Sequence, residues 1–291
     1  SGTNGTLYDL SFADLNTGYA VGIHNILKTT DSGNNWISLG GAPYSLLWKV
    51  QFLNPETGYI TGGASIKTTN GGLDWTYLNV NTFSTGYALN FLNVNTGWIG
   101  FEDGIILKTT NGGSNWTDCS IDSFAVRSIC FINEATGWCT NASKIYKTTT
   151  GGSSWISQYS AAAGAYPLFL YLLNSNVVWA AGENLILKTS NGGTNWTEMS
   201  IGYPFFRIEC IQFVNENTGY FTGLGDTVLL TTNQGVSWIK TSSHAQSRLE
   251  NIFFVNENTG WASGWEGAIM KTTNAGITIG INPISSENPN Q

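Results

Sequence analysis

The stretch KTTNGGSNWT, residues 108–117, brings together a lysine, a threonine pair, an asparagine, two glycines and a tryptophan. A glycine-rich run after a strand can cradle phosphate, and an amide beside an indole can hold a sugar. Three arginines, Arg127, Arg207 and Arg248, could clamp an anion, and Glu102 beside Asp103 is a carboxylate pair. The histidines, His24 and His244, sit in separate loops with no cysteine nearby. They give no metal-ligand spacing, so neither a metal nor a cofactor is expected.

The glycine-rich stretch recurs. It reappears as KTTDSGNNW (28–36), KTTNGGLDW (67–75), KTTTGGSSW (147–155) and KTSNGGTNW (188–196), with looser copies LTTNQGVSW (230–238) and KTTNAGITI (271–279). The period is 39 to 42 residues. A second motif, TGY or TGW, keeps the same phase at 17, 57, 96, 136, 218 and 259, with VVW at 177 where another copy is due. Seven units of about 41 residues with strand-like content are the signature of a propeller of four-stranded blades. The fold expected is therefore all-β, a seven-bladed propeller over residues 1–281, with blades ending near 40, 80, 120, 160, 200, 242 and 281 and a linker-like tail at 282–291.

A motif present seven times is scaffolding. The third position is Asp31, Asn70, Asn111, Thr150, Asn191, Asn233 or Asn274, and the fifth is always glycine. An Asn or Asp side chain can cap a tight turn by accepting backbone N–H bonds, and glycine supplies positive φ without steric cost. The tryptophan that ends six of the copies can cover the turn.

The pattern S/T-x-D/N-x-G-x-x-W resembles the Asp-box, or BNR repeat, of sialidases, sortilin-type receptors and some xyloglucanases. With the TGWxxG strand and seven copies, the chain is most similar to photosystem II assembly-factor propellers over about residues 7–281. The resemblance implies the fold and leaves function open, because such turns occur on propellers with unrelated activities. It also implies a cluster of arginines on one face, which three separated arginines do not match. A sialidase would need an arginine triad with a Tyr/Glu nucleophile pair and an acid. FRI at 206–208 echoes the sialidase FRIP, yet RIE (207–209) and RLE (248–250) place a glutamate on the same strand face as each arginine. Self-satisfied pairs between adjacent blades are the expectation, and only Arg127 lacks an R-x-E partner. Xyloglucanase-type catalysis uses a cleft between two propellers, and one is present. No catalytic residues are assigned.

Composition restricts the partners. The chain has 291 residues, 41% hydrophobic, with 35 glycines, only 11% charged residues and a net charge of −7. That suits short strands joined by tight turns and disfavours nucleic acid. Six lysines (Lys28, Lys67, Lys108, Lys147, Lys188, Lys271) occupy one repeated slot and are spread round the ring. The longest apolar run, AYPLFLYLL (165–173), is too short to cross a bilayer, so no membrane insertion is expected. The tail INPISSENPNQ resembles the linker before a type IX secretion sorting domain, which implies a secreted or cell-surface bacterial protein.

Each unit reads as strands A to D, exemplified by KVQFL (49–53), TGYITG (57–62), SIKTT (65–69) and WTYLNV (75–80). The A–B turns and the repeated C–D turns must share one end of the ring. The B–C turns and D-to-A crossovers share the other, and only that end varies. It carries the aromatics Trp48, Tyr87, Tyr166 and Phe205, the carboxylates Glu102, Asp103, Glu183 and Asp226, and Arg127. Aromatics and carboxylates on variable loops over a rigid frame suit recognition of a glycan or a protein, a further copy of the chain included. The expected function is a non-enzymatic, exported binding or assembly module. A self-associating structural protein and a sialidase-like glycosidase are the alternatives. In CFINEATGWC a four-residue turn would set Cys130 opposite Cys139, allowing a cross-strand disulfide; Cys119 and Cys210 are expected free.

Overall fold

The computed structural model describes residues 2–40, 46–200, 207–223, 226–242 and 247–275. Phe205, His244 and the 282–291 tail lie outside them. Seven antiparallel sheets form the seven blades of a propeller, six with four strands and the last with three described strands, Leu249–Phe254, Gly260–Gly264 and Ile269–Thr272. In blade 1 the strands run outward in chain order as β1 (Leu7–Phe12), β2 (Gly18–Gly22), β3 (Ile26–Thr29) and β4 (Ile37–Ser38). The outer strand is shorter than the sequence suggests. It spans only two residues in blades 1, 2, 3 and 5, because at the circumference its side chains are exposed and no neighbour extends the pairing. The second strand is buried on both faces, as in Gly58–Gly62, which explains its weak alternation.

One aromatic interface repeats round the ring. The aromatic that opens the second strand stacks on the phenylalanine ending the next blade's inner strand. Tyr19 lies 3.4 Å from Phe52, Tyr59 3.6 Å from Phe91, and Trp98 3.6 Å from Phe131. Each glycine of the TG motif lies under its own blade's phenylalanine, where a Cβ on Gly18 or Gly97 would fall 2.4 or 2.3 Å from the ring. Blade 5 departs from both rules at once: Val178 stands in the glycine slot and pairs with Leu172, which replaces the phenylalanine. A smaller side chain on one strand makes room for a larger one on its partner, which explains the VVW departure.

Ring closure uses the same contacts. Trp261 of blade 7 stacks on Phe12 of blade 1 at 3.7 Å, and its indole N–H donates to the Ser32 carbonyl at 3.1 Å. Leu7, Leu10, Ala20 and Leu27 complete a core with Trp261 and Ile269. Among the described residues no N-terminal strand joins blade 7. Instead the Asn25 amide donates to Thr3 Oγ1 at 2.8 Å, so the N-terminus rests on its own blade. Deleting residues 1–5 should therefore cost no more than about 1 kcal/mol, the scale of one or two exposed hydrogen bonds. A thermal melt that falls by tens of degrees would reveal a strand clasp between the ends of the chain.

The repeated turns are closed by their own side chains. In blade 3 the Gly113 N–H donates to Thr109 Oγ1 at 2.9 Å, and the Asn115 N–H to Asn111 Oδ1 at 2.8 Å. Asp31, Asn70, Thr150, Asn191 and Asn233 accept the equivalent N–H at 2.8–3.0 Å. Asn274 accepts the Thr272 hydroxyl at 2.8 Å. Lysines of the repeated slot reach across to the next blade. Lys28 donates to the Gly71 carbonyl at 2.8 Å and Lys147 to Gly192 at 2.7 Å, each lying over the aromatic of its own second strand. These charges are spent on joining blades and do not form a patch.

The cysteines are free. Phe131 pairs with Gly137, which sets Ile129, not Cys130, opposite Cys139. A register one residue from that expected puts the two sulfurs on opposite faces of the sheet. Cys139 then packs with Trp98 and Ile129, whereas Cys130 packs against the separate cluster that holds Trp138 and Ile145. The disulfide expectation is thus corrected.

Candidate functional site

The inner strands converge on a central channel, and the residues four before each strand's last residue set its mouth at the crossover end. In ring order these are Tyr8, Trp48, Tyr87, Arg127, Leu168, Glu209 and Glu250. The result is one aromatic arc and one acidic arc. Tyr8 and Trp48 stack at 4.2 Å, Trp48 meets Tyr87 edge-on at 5.6 Å, and the Arg127 guanidinium lies over Tyr87 at 4.5 Å. A cavity of about 380 Å³ opens between the arcs, in the size range of ligand sites.

Trp48, Tyr87, Tyr166, Arg127 and Glu183 all line this cavity. Trp48 and Tyr87 do so from within strands Leu47–Phe52 and Gly86–Phe91, so the frame itself fixes them. Tyr166 opens its strand and pairs with Glu183, whose backbone is bridged in turn to Arg207 of the next blade. Glu102 forms a second row and engages the Tyr87 hydroxyl; burial first, and then Glu102, push that phenol up. Asp103, whose N–H donates to Ser84 Oγ at 3.2 Å, and Asp226 lie outside the cavity lining. Phe205 falls outside the described residues.

Sequence reasoning missed Tyr8, Lys49 and Phe169, and read Glu209 and Glu250 only as partners of the arginines; all five also line the cavity. Below the mouth, Asp9 accepts three donors: Asn251 Nδ2 of blade 7 at 2.6 Å, the Val50 N–H of blade 2 at 2.8 Å, and Lys49 Nζ at 3.4 Å. On the acidic arc Arg207 Nε lies 2.8 Å from Glu209, Arg248 Nε lies 3.1 Å from Glu250, and Arg248 also contacts Glu209 across the blade boundary. The Trp265 indole N–H donates to Glu250 at 2.6 Å. Burial pushes the Glu209 carboxyl up and Glu250 adds to it, while both arginines oppose the shift. Burial and Glu250 likewise raise the Tyr8 phenol. Among the described residues no group of three His, Cys, Asp or Glu side chains is placed to hold a metal, and no helix is long and apolar enough to cross a membrane.

Fold and site together define a seven-bladed propeller with repeated turns at one end and a channel-mouth cavity at the other. The chain resembles photosystem II assembly-factor propellers: residues 42–167 match the family model described as photosynthesis system II assembly factor YCF48. Solved structures share the fold. "YCF48 bound to D1 peptide" superposes with a TM-score of 0.79 at 18% identity, covering 94% of this chain and 95% of the other. YCF48 from Cyanidioschyzon merolae gives 0.77 at 17%, covering 94% and 96%. The Niastella koreensis GH74 enzyme gives 0.79 at 16% over 95% of this chain, which spans 53% of that enzyme. No curated protein matches the chain in sequence.

Proposed function

We propose that the chain is a non-enzymatic binding module that takes a protein segment at the crossover end of its channel. The observation that carries this reading is the cavity, where a fixed aromatic arc faces a set of carboxylates. The likeness to YCF48 bound to a D1 peptide supports it, since that protein uses the same fold to hold a peptide. Catalysis is disfavoured because Glu209 and Glu250 are both engaged by arginine. Among the described residues that leaves Glu183 as the one lining carboxylate outside an ion pair, whereas glycoside hydrolysis ordinarily uses two. An exported location, expected from the tail's composition, belongs to the same reading.

A glycan is the second reading, favoured by the stacked Tyr8 and Trp48 rings. Protein is preferred because Phe83 and Phe124, on the loops leading into Tyr87 and Arg127, are exposed beyond the cavity. Polypeptide would cover them more fully than a sugar chain. Screening the protein against both a labelled peptide library and a glycan array decides between the two. Trp48→Ala should weaken a bound peptide by about 2 kcal/mol, as a central aromatic anchor does, and Tyr166→Ala by less. Glycan binding without peptide binding, or a peptide indifferent to Trp48→Ala, would overturn the proposal.

A further inference from the structure

The ionised groups that face the cavity mostly neutralise one another. Lys49 is paired with Asp9, Arg207 with Glu209, and Arg248 with Glu209 and Glu250. Two lining groups are left over. Among the described residues no carboxylate lies within 4.0 Å of the Arg127 guanidinium, and no cation lies that close to the Glu183 carboxylate. They come from neighbouring blades, 4 and 5. Arg127 is oriented by the Tyr87 ring and hydroxyl, the hydroxyl being shared with Glu102, and Glu183 by its strand pairing with Tyr166 and its bridge to Arg207.

We infer that the segment accepted here is dipolar: it brings an acidic side chain to Arg127 and a basic side chain to Glu183, with an apolar residue against the Trp48 arc. This deepens the binding reading above and rests on it. A purely acidic ligand would satisfy Arg127 but set its charge against Glu183, with Glu102 close behind Tyr87. A purely basic ligand would meet Arg127. A neutral ligand would cover both charges and answer neither, leaving each desolvated without a countercharge. Only a ligand of both signs is complementary to the two free groups. Its apolar remainder fits the surroundings, since Leu168 and Phe169 line the cavity and Phe83 and Phe124 extend the apolar surface outward. That spread favours an extended segment over a small zwitterion confined to the cavity.

The probes are labelled peptides of about nine residues, long enough at ~3.4 Å per residue to cross the face. All are degenerate outside a central Phe and two flanking positions. Four sets carry Asp with Lys, Asp with Gln, Asn with Lys, or Asn with Gln at those positions, in both orders. Fluorescence anisotropy at low salt should show the Asp/Lys set binding about tenfold more tightly than the other three. Arg127→Gln should remove the preference for Asp over Asn while keeping that for Lys. Glu183→Gln should do the converse, a pattern that general loosening of the fold cannot produce. If all four sets bind alike and Trp48→Ala still weakens them, the dipolar inference fails and the binding proposal stands. If no set binds, or if binding ignores Trp48→Ala, both fail.

Discussion

Replacing Asp9 with alanine is expected to cost about 3–5 kcal/mol, the scale of breaking a buried ion pair from one side. Asp9 is buried on the inner strand of blade 1 and accepts from Asn251 of blade 7 and from Val50 and Lys49 of blade 2. It therefore joins the first and last blades to the second at the point where the ring closes. Alanine would leave Lys49 without its carboxylate, the Val50 N–H without an acceptor and the Asn251 amide without a partner. Asp9→Asn should cost less, because the shape and one acceptor oxygen remain. Denaturant unfolding measures both variants. A loss below about 1 kcal/mol in Asp9→Ala would mean that the Trp261–Phe12 packing alone holds the ring shut.

Gly113→Val should be nearly as damaging, at roughly 2–4 kcal/mol, from backbone strain and a steric clash together. Gly113 has a φ of +90°, and a Cβ there would lie 2.5 Å from Leu78 Cδ2 of the preceding blade. Its N–H also bonds the Thr109 hydroxyl that organises the turn. Gly164 is the control: its φ is +84° but nothing lies within 4 Å of an added Cβ. Gly164→Ala should then cost only the strain, about 1–2 kcal/mol. The Gly113 variant should lose thermal stability and folding yield together. Normal folding with selective loss of a ligand would contradict the scaffold role of the repeated turn.

Much of the architecture is legible in the sequence because one physical solution is written seven times. The turn needs a threonine, a short acceptor and a glycine, so its spacing reveals the period. The R-x-E spacing at Arg207 and Arg248 likewise announces ion pairs, since residues two apart share a strand face. What the sequence hides depends on register and curvature. Cys130 and Cys139 flank a turn whose length allows either of two registers, and only the pairing of Phe131 with Gly137 separates them. Tyr8, Glu209 and Glu250 look unrelated along the chain. They become neighbours because the position four residues before the end of each inner strand faces one channel. Aligning the seven inner strands by their last residue, Phe12 through Phe254, would have collected Tyr8, Trp48 and Tyr87 in a single column. The reading of Trp48 and Tyr87 as loop residues hid that column. The outer strand was overestimated because WTYLNV has strand composition, while its position at the rim leaves it one neighbour and open solvent.

The central claim is that the varied, crossover end of the channel is the binding end. Hydrogen-exchange mass spectrometry, with and without a peptide from the Asp/Lys set, tests it most directly. Protection is expected in the loops that lead into Tyr87 and Arg127, residues 82–87 and 122–128, and around Tyr166. The turns at the opposite end, residues 54–57, 133–136 and 215–218, should exchange unchanged. Protection confined to those turns, with the crossover loops unaffected, would place the partner on the repeated end and contradict the account.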